Sequence, residues 1–176
     1  MKERHVLSVL VENRFGELAR VVGLFAGRGF NIDALAVNVT TDPAYSKIVL
    51  TTSGSEAIVE QIVKQLRKLV RVKKVVEMTN DRFIERELCV VTVQAGGPNA
   101  RQELERVVSL TSARVIAYSQ TAFTVEATAT SQEIDQFLEL VRPLGIRDMV
   151  RSAPIAIGRP STDNAVESAP SLGGVA

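Results

Sequence analysis

Residues 8–18 read Ser8-Val9-Leu10-Val11-Glu12-Asn13-Arg14-Phe15-Gly16-Glu17-Leu18. An apolar run ends in Glu12-Asn13, turns through a lone glycine and enters an apolar-periodic segment. The first N–H groups of a helix have no internal partner, and the aligned peptide dipoles leave partial positive charge there. A strand–turn–helix corner of this kind therefore suits an anion such as a carboxylate. Gly16 permits the backbone conformations that such a corner needs and leaves room for close approach. The backbone N–H groups of Gly16, Glu17 and Leu18 are the candidate donors. Asn13, and Asn31 further on, each carry a donor and an acceptor that could meet an ammonium or a carboxylate. Leu18 and Ile32 could wall an aliphatic group.

The elements that would position these residues follow from periodicity. Val6–Val11 is a nearly continuous apolar run, as expected of a strand buried on both faces. Leu18, Val21, Val22 and Phe25 fall on one helical face, and Gly29 stops that helix with Arg28 in its last turn. Asp33–Val39 and Ser46–Thr52 are β-rich runs around the turn Thr41-Asp42-Pro43-Ala44. Ser53 and Glu56 have capping-box spacing before a helix with Val59, Ile62, Val63, Leu66 and Leu69 on its apolar face. Val72–Met78 is a closing strand.

The second half repeats this grammar. It has a strand at Leu88–Val93 and a helix introduced by Asn99 and Gln102. Strands at Arg114–Ala117 and Ala122–Ala127 follow, then a helix capped by Thr130 and Glu133, and a last strand at Arg147–Arg151. The expected fold class is α+β, with two ferredoxin-like βαββαβ units. The polar stretch 80–86 is expected to link them, and 159–176, rich in Pro, Ser, Gly and Ala, to be a disordered tail.

Bulk properties narrow the chemistry. The 21 basic and 20 acidic residues give a net charge of +1 and form no basic stripe, which argues against nucleic acid. The single cysteine, Cys89, excludes an internal disulfide and fits a reducing, cytoplasmic setting. No apolar run approaches the roughly 20 residues of a membrane helix. His5 is the only histidine, and no nucleophile–base pair or metal-ligand spacing accompanies it, so neither catalytic nor metal residues are expected. Gly27-Arg28-Gly29 ends a helix instead of following a strand and so fails the context of a nucleotide loop. The basic run Arg67, Lys68, Arg71, Lys73 and Lys74 reads as a solvated edge, with an acidic patch on a partner as the second reading.

The opening corner resembles the small, regulatory subunit of acetolactate synthase (acetohydroxyacid synthase). So do the segments Gly23-Leu24-Phe25-Ala26-Gly27-Arg28-Gly29-Phe30-Asn31-Ile32-Asp33-Ala34-Leu35, Gln65-Leu66-Arg67-Lys68-Leu69-Val70 and Glu85-Arg86-Glu87-Leu88. The likeness spans residues 5–158. It implies an ACT regulatory domain at 1–79, the linker at 80–86 and a C-terminal ferredoxin-like domain at 87–158. It also implies a chain with no active site and no cofactor of its own. Its partner would be a catalytic large subunit that holds thiamine diphosphate, magnesium and FAD. The small subunit would activate that partner and convey feedback by valine or a related branched-chain amino acid. In this family the effector lies between the ACT domains of two chains. By motif position Asn13, Gly16, Glu17 and Leu18 come from one chain, and Asn31 and Ile32 from the other. The homodimer would join along the Asp33–Val39 edge.

Two residues depart from the family pattern. Phe15 stands where proline is common, and Glu17 where a small or aliphatic residue is usual. A carboxylate at Glu17 suits the helix dipole but would compete with a bound carboxylate unless it points away. The expectation is effector binding that is weaker than in typical members, or absent, with activation of the partner retained; Glu17→Ala should then tighten valine binding. The alternative function is a free-standing ACT-type amino-acid sensor acting on another target.

Overall fold

The structure is a computed structural model and describes residues 3–78 and 83–160. In the first unit β1 (Glu3–Glu12), β2 (Ala34–Val39), β3 (Tyr45–Gly54) and β4 (Val72–Met78) form an antiparallel sheet in the order β2-β3-β1-β4. Helices α1 (Glu17–Ala26) and α2 (Glu56–Leu66) pack on one face. In the second unit β6 (Arg114–Tyr118), β7 (Ala122–Ala129), β5 (Phe83–Gln94) and β8 (Ile146–Arg151) are ordered β6-β7-β5-β8. Helices α3 (Pro98–Leu110) and α4 (Ser131–Val141) cover that sheet. Two βαββαβ units are therefore present, as the periodicity predicts.

Each unit has its own core. Leu7, Val9 and Val11 of β1 meet Val21, Leu24 and Phe25 of α1 and Val59, Ile62 and Leu66 of α2. Cys89, Val91 and Val93 of β5 meet Leu104 and Val107 of α3 and Ile134, Phe137 and Val141 of α4. With no tryptophan, Val, Leu and Ile fill most of both interiors, with Phe25 in one and Phe137 in the other as the largest buried side chains. The burial of β1 on both faces is also realised, because Val6 and Ser8 on its other face are covered as well.

The source of that cover is not legible in the periodicity. β5 begins at Phe83, so residues 83–86 of the expected linker are strand; residues 80–82 lie outside the described residues. They pair with a short strand, β9 (Ile155–Gly158). Ala156 of β9 and Phe83 pack on Val6, Val49 and Met78, on the face of the first sheet away from its helices. The polarity that suggests a linker is explained by a buried ionic junction. Arg4 on β1 donates from Nη1 to Glu85 Oε2 at 3.0 Å and from Nη2 to Ser131 Oγ at 2.7 Å. Its Nη2 is also 3.7 Å from Glu87 Oε1. Glu87, 4% exposed, is bonded by Ser131 Oγ and by Arg151. Burial pushes the Glu85 carboxyl upward, but hydrogen bonds from Arg4 and Ser131 outweigh it and hold the group below the usual carboxylate range.

Helix boundaries differ in detail. Thr130 and Glu133 form the expected reciprocal capping box. Ser53 and Asn99 cap nothing: the N-caps are Ser55 and Gly97, with Pro98 opening α3. Ser53 instead donates to Asp33 Oδ2 at 2.6 Å. Arg28 lies beyond the last turn of α1. Gly29 (φ 68°) reverses the chain there, with Phe30 N–H on Phe25 O at 3.0 Å and Gly29 N–H on Ala26 O at 3.3 Å. Arg159 and Pro160 are irregular; the remainder of the expected tail, 161–176, lies outside the described residues.

Candidate functional site

Gly16 is the N-cap of α1, with φ 84° and ψ −5°. The left-handed region costs a residue with a Cβ roughly 1–2 kcal/mol, so glycine is required here by conformation. Nothing lies within 4 Å of where a Cβ would be, so the space in front of the corner is open. Gly16 O accepts from Arg20 N–H at 3.0 Å, and Glu17 N–H is drawn to Arg14 O at 3.3 Å. Among the described residues Gly16 N–H and Leu18 N–H have no hydrogen-bond acceptor. Asn13 fixes the corner to the β2–β3 turn through its N–H on Ala44 O (2.7 Å) and its Nδ2 on Pro43 O (3.0 Å). Its side-chain Oδ1 faces no partner among the described residues.

A recess of about 100 Å³ opens beside the corner, lined by Val11, Asn13, Glu17, Leu18, Val37 and Ile48 among others. Its walls suit a short aliphatic side chain. Asn31 is elsewhere: it lines a separate depression of about 600 Å³ with Thr52, Ser53 and Ile58. Asn31 donates to Asp33 Oδ1 at 2.5 Å, and its carbonyl accepts from Thr52 Oγ1 at 2.7 Å. Ile32 packs on the first core. One chain therefore brings Asn13, Glu17 and Leu18 together around Gly16 and leaves Asn31 and Ile32 apart from them.

The sequence reading of Glu17 changes. Its carboxylate is 4% exposed and sits 2.9 Å from Arg71 Nη1 and 3.6 Å from Arg20 Nε. Two guanidinium groups neutralise it, so the expected competition with a bound carboxylate is largely cancelled. Arg71 also lies 4.0 Å from Glu12 Oε2, and Lys73 Nζ is 2.7 Å from Glu12 Oε1. The hydrogen bond from Lys73 holds the Glu12 carboxyl below its ordinary range. Part of the supposed solvated basic run thus underpins the corner. Nothing local in the sequence pairs Arg71 with Glu17, 54 positions away; only the fold does.

The corresponding corner of the second unit, at Gly96-Gly97, is filled by its own chain. Arg101 donates from Nε to Ala95 O (3.4 Å) and from Nη2 to Gln120 O (2.6 Å), and its guanidinium lies over the Phe123 ring at 5.8 Å. Cys89 is buried in the second core. Among the described residues no cluster of His, Cys, Asp or Glu is placed to hold a metal ion, and no helix is long and apolar enough to cross a membrane.

The edge of the first sheet completes the geometry. β2 is the outer strand, and Val37 and Val39 on it are exposed, as are Leu18 and Val22 on α1. A free strand edge flanked by apolar side chains is a pairing surface. A glycine-led helix entry beside such an edge, in the first of two ferredoxin-like units, defines a regulatory protein of the ACT type.

Comparison with known proteins places the chain more closely. Residues 7–74 match the family described as AHAS small subunit-like ACT domain, and residues 86–160 match that described as small subunit of acetolactate synthase. A probable acetolactate synthase small subunit from Methanothermobacter thermautotrophicus is 39% identical over 90% of this chain and 95% of its own. The acetolactate synthase small subunit of Mycobacterium leprae is 43% identical over 88% and 91%. The crystal structure of the acetolactate synthase small subunit from Thermotoga maritima superposes with a TM-score of 0.80 at 29% identity, covering 90% of this chain and 99% of that one. The chain belongs to the acetolactate synthase small-subunit family.

Proposed function

We propose that this chain pairs with a second copy of itself along β2 and binds the catalytic large subunit of acetolactate synthase. In that assembly it raises the catalytic rate and conveys feedback by a branched-chain amino acid, valine or a close relative. The observation that carries the reading is the open left-handed corner at Gly16, with uncommitted amides at Gly16 and Leu18 beside an aliphatic recess. In the paired state the effector carboxylate takes those amides, and its side chain takes the wall of Leu18 and Val37. Asn31 and Ile32 arrive from the second copy. One methylene alters binding by only about 1–3 kcal/mol in an apolar pocket, so valine, leucine and isoleucine are all candidate effectors. Feedback requires that the effector favour one arrangement of the seam over another. Thiamine diphosphate, magnesium and FAD belong to the catalytic chain, which performs the condensation; this chain supplies no reacting group.

The test is reconstitution with the catalytic large subunit, measuring acetolactate formation with and without this chain while titrating valine, leucine and isoleucine. The expected result is a stable complex, a higher turnover and inhibition by at least one effector. A chain that neither co-purifies with the large subunit nor changes its rate would refute the reading in favour of a free-standing sensor.

A further inference from the structure

Two of the segments that carry the family likeness, around Arg28–Phe30 and Gln65–Val70, stay outside the Gly16 corner, yet the fold brings them together. α2 and the turn after it carry Gln61, Lys64, Gln65 and Lys68 at spacings that place them on one stripe. Arg28, just beyond α1, reaches over that stripe and donates from Nη2 to Gln65 Oε1 at 3.1 Å. Phe30, half-buried and set edge-on against Phe25 (6.1 Å, 78°), supplies an apolar wall. These six residues line a cleft of about 420 Å³.

Three of the six are cations and none is an acid. Lys64 is matched by Glu60 at 2.7 Å. Arg28 has an amide for its partner, and Lys68 makes no ion pair among the described residues. Their neighbours differ: Arg71 and Lys73 are paired with Glu17 and Glu12, and Arg67 Nη2 reaches Val75 O at 3.5 Å. A helix C-terminus favours cations in any case, which accounts for Lys64 and Lys68. Arg28 likewise follows the C-terminus of α1, and the fold delivers it to the same cleft from that helix. Two other surfaces of the first unit are partly engaged. Its open sheet face receives Ala156 of the second unit, and its β2 edge is the pairing edge of the proposed dimer.

We propose that this cleft docks an acidic segment of the catalytic large subunit, with carboxylates meeting Arg28 and Lys68 and main-chain groups meeting Gln61 and Gln65. The proposal rests on the reading of the chain as a subunit of that enzyme. The test uses the full chain carrying Arg28→Glu and Lys68→Glu together, mixed with the unaltered large subunit. The concentration of small subunit giving half-maximal activation should rise by about tenfold, because the cleft then repels the segment it formerly attracted. Lys68→Glu alone should raise it by about threefold. Valine binding to the free small subunit, followed by calorimetry, should not move, and the melting temperature should fall by no more than about 6 °C, the share of two charges reversed at helix C-termini. The charge-conserving Arg28→Lys, Lys68→Arg chain should retain most of the activation. Half-saturation within about twofold of the unaltered chain for the double Glu variant would overturn the proposal. So would an equal loss in the charge-conserving chain. If the unaltered chain itself gives no activation, the subunit reading fails, and the docking proposal fails with it.

Discussion

Arg4→Met is the sharpest probe of how the two units are joined. Arg4 sits at the start of β1, the strand whose other end leads into the Gly16 corner, and its guanidinium holds Glu85 at 3.0 Å and Ser131 Oγ at 2.7 Å. Glu85 is only 8% exposed. Breaking a fully buried pair by removing one partner costs about 3–5 kcal/mol, because the remaining charge is stranded. Here the Arg4 side chain is 40% exposed, so water and salt already screen part of the attraction, and Ser131 still serves Glu85. The expected loss is therefore about 2 kcal/mol at neutral pH, or a fall in Tm of roughly 4–8 °C for a chain of this size.

The loss should also depend on pH. Glu85 titrates in the folded chain below its ordinary value of 4.5. Its stabilising contribution is present above that value and is lost as pH falls through the lowered folded value. Without Arg4 the strongest of the lowering contacts is lost, and only those from Ser131 remain. The difference between the unaltered chain and the Arg4→Met variant should thus be largest near neutrality and shrink in the acid range. Urea unfolding at neutral pH and at about pH 4 measures it. A double-mutant cycle with Glu85→Gln should show a coupling of about 1 kcal/mol or more. A loss of less than about 0.5 kcal/mol, or the same loss at both pH values, would refute the reasoning.

Gly16→Ala should cost about 1 kcal/mol in unfolding free energy, since φ 84° is strained for alanine while no neighbour is struck. It should also weaken valine binding by calorimetry; unchanged binding would remove the corner from the effector site. Glu17→Ala, which the sequence alone expects to tighten valine binding, should change affinity by less than about threefold because Arg71 and Arg20 already neutralise the carboxylate. A large tightening would show that the carboxylate does oppose the effector. Burial pushes the Cys89 thiol above its ordinary range, so it should resist a disulfide reagent at pH 8 in the folded chain and react at once in urea. Rapid labelling of the native chain would contradict the core described for the second unit.

The alternation of apolar runs fixes much of this molecule in advance. Leu7, Val9 and Val11 alternate, while Val59, Ile62 and Leu66 recur at helical spacing, and each pattern can bury its apolar side in only one way. Gly16 and the capping box at Thr130 are legible because each answers a local need of the backbone, within a few residues of itself. Charged residues are the ones that mislead. Residues 83–86 look like a connector, and Arg71 and Lys73 look like a solvated edge, because a lone sequence displays a charge without its partner. Their partners, Arg4 with Glu85 and Arg71 with Glu17, lie 81 and 54 positions away. Local spacing determined the strands, the helices and the glycine corner. Which charges are buried, which surfaces they close, and which cations are left facing solvent were decided only by tertiary folding, within the first unit for Arg71 and Glu17 and between the units for Arg4 and Glu85, since Coulombic pairing depends on distance in space and not on distance along the chain.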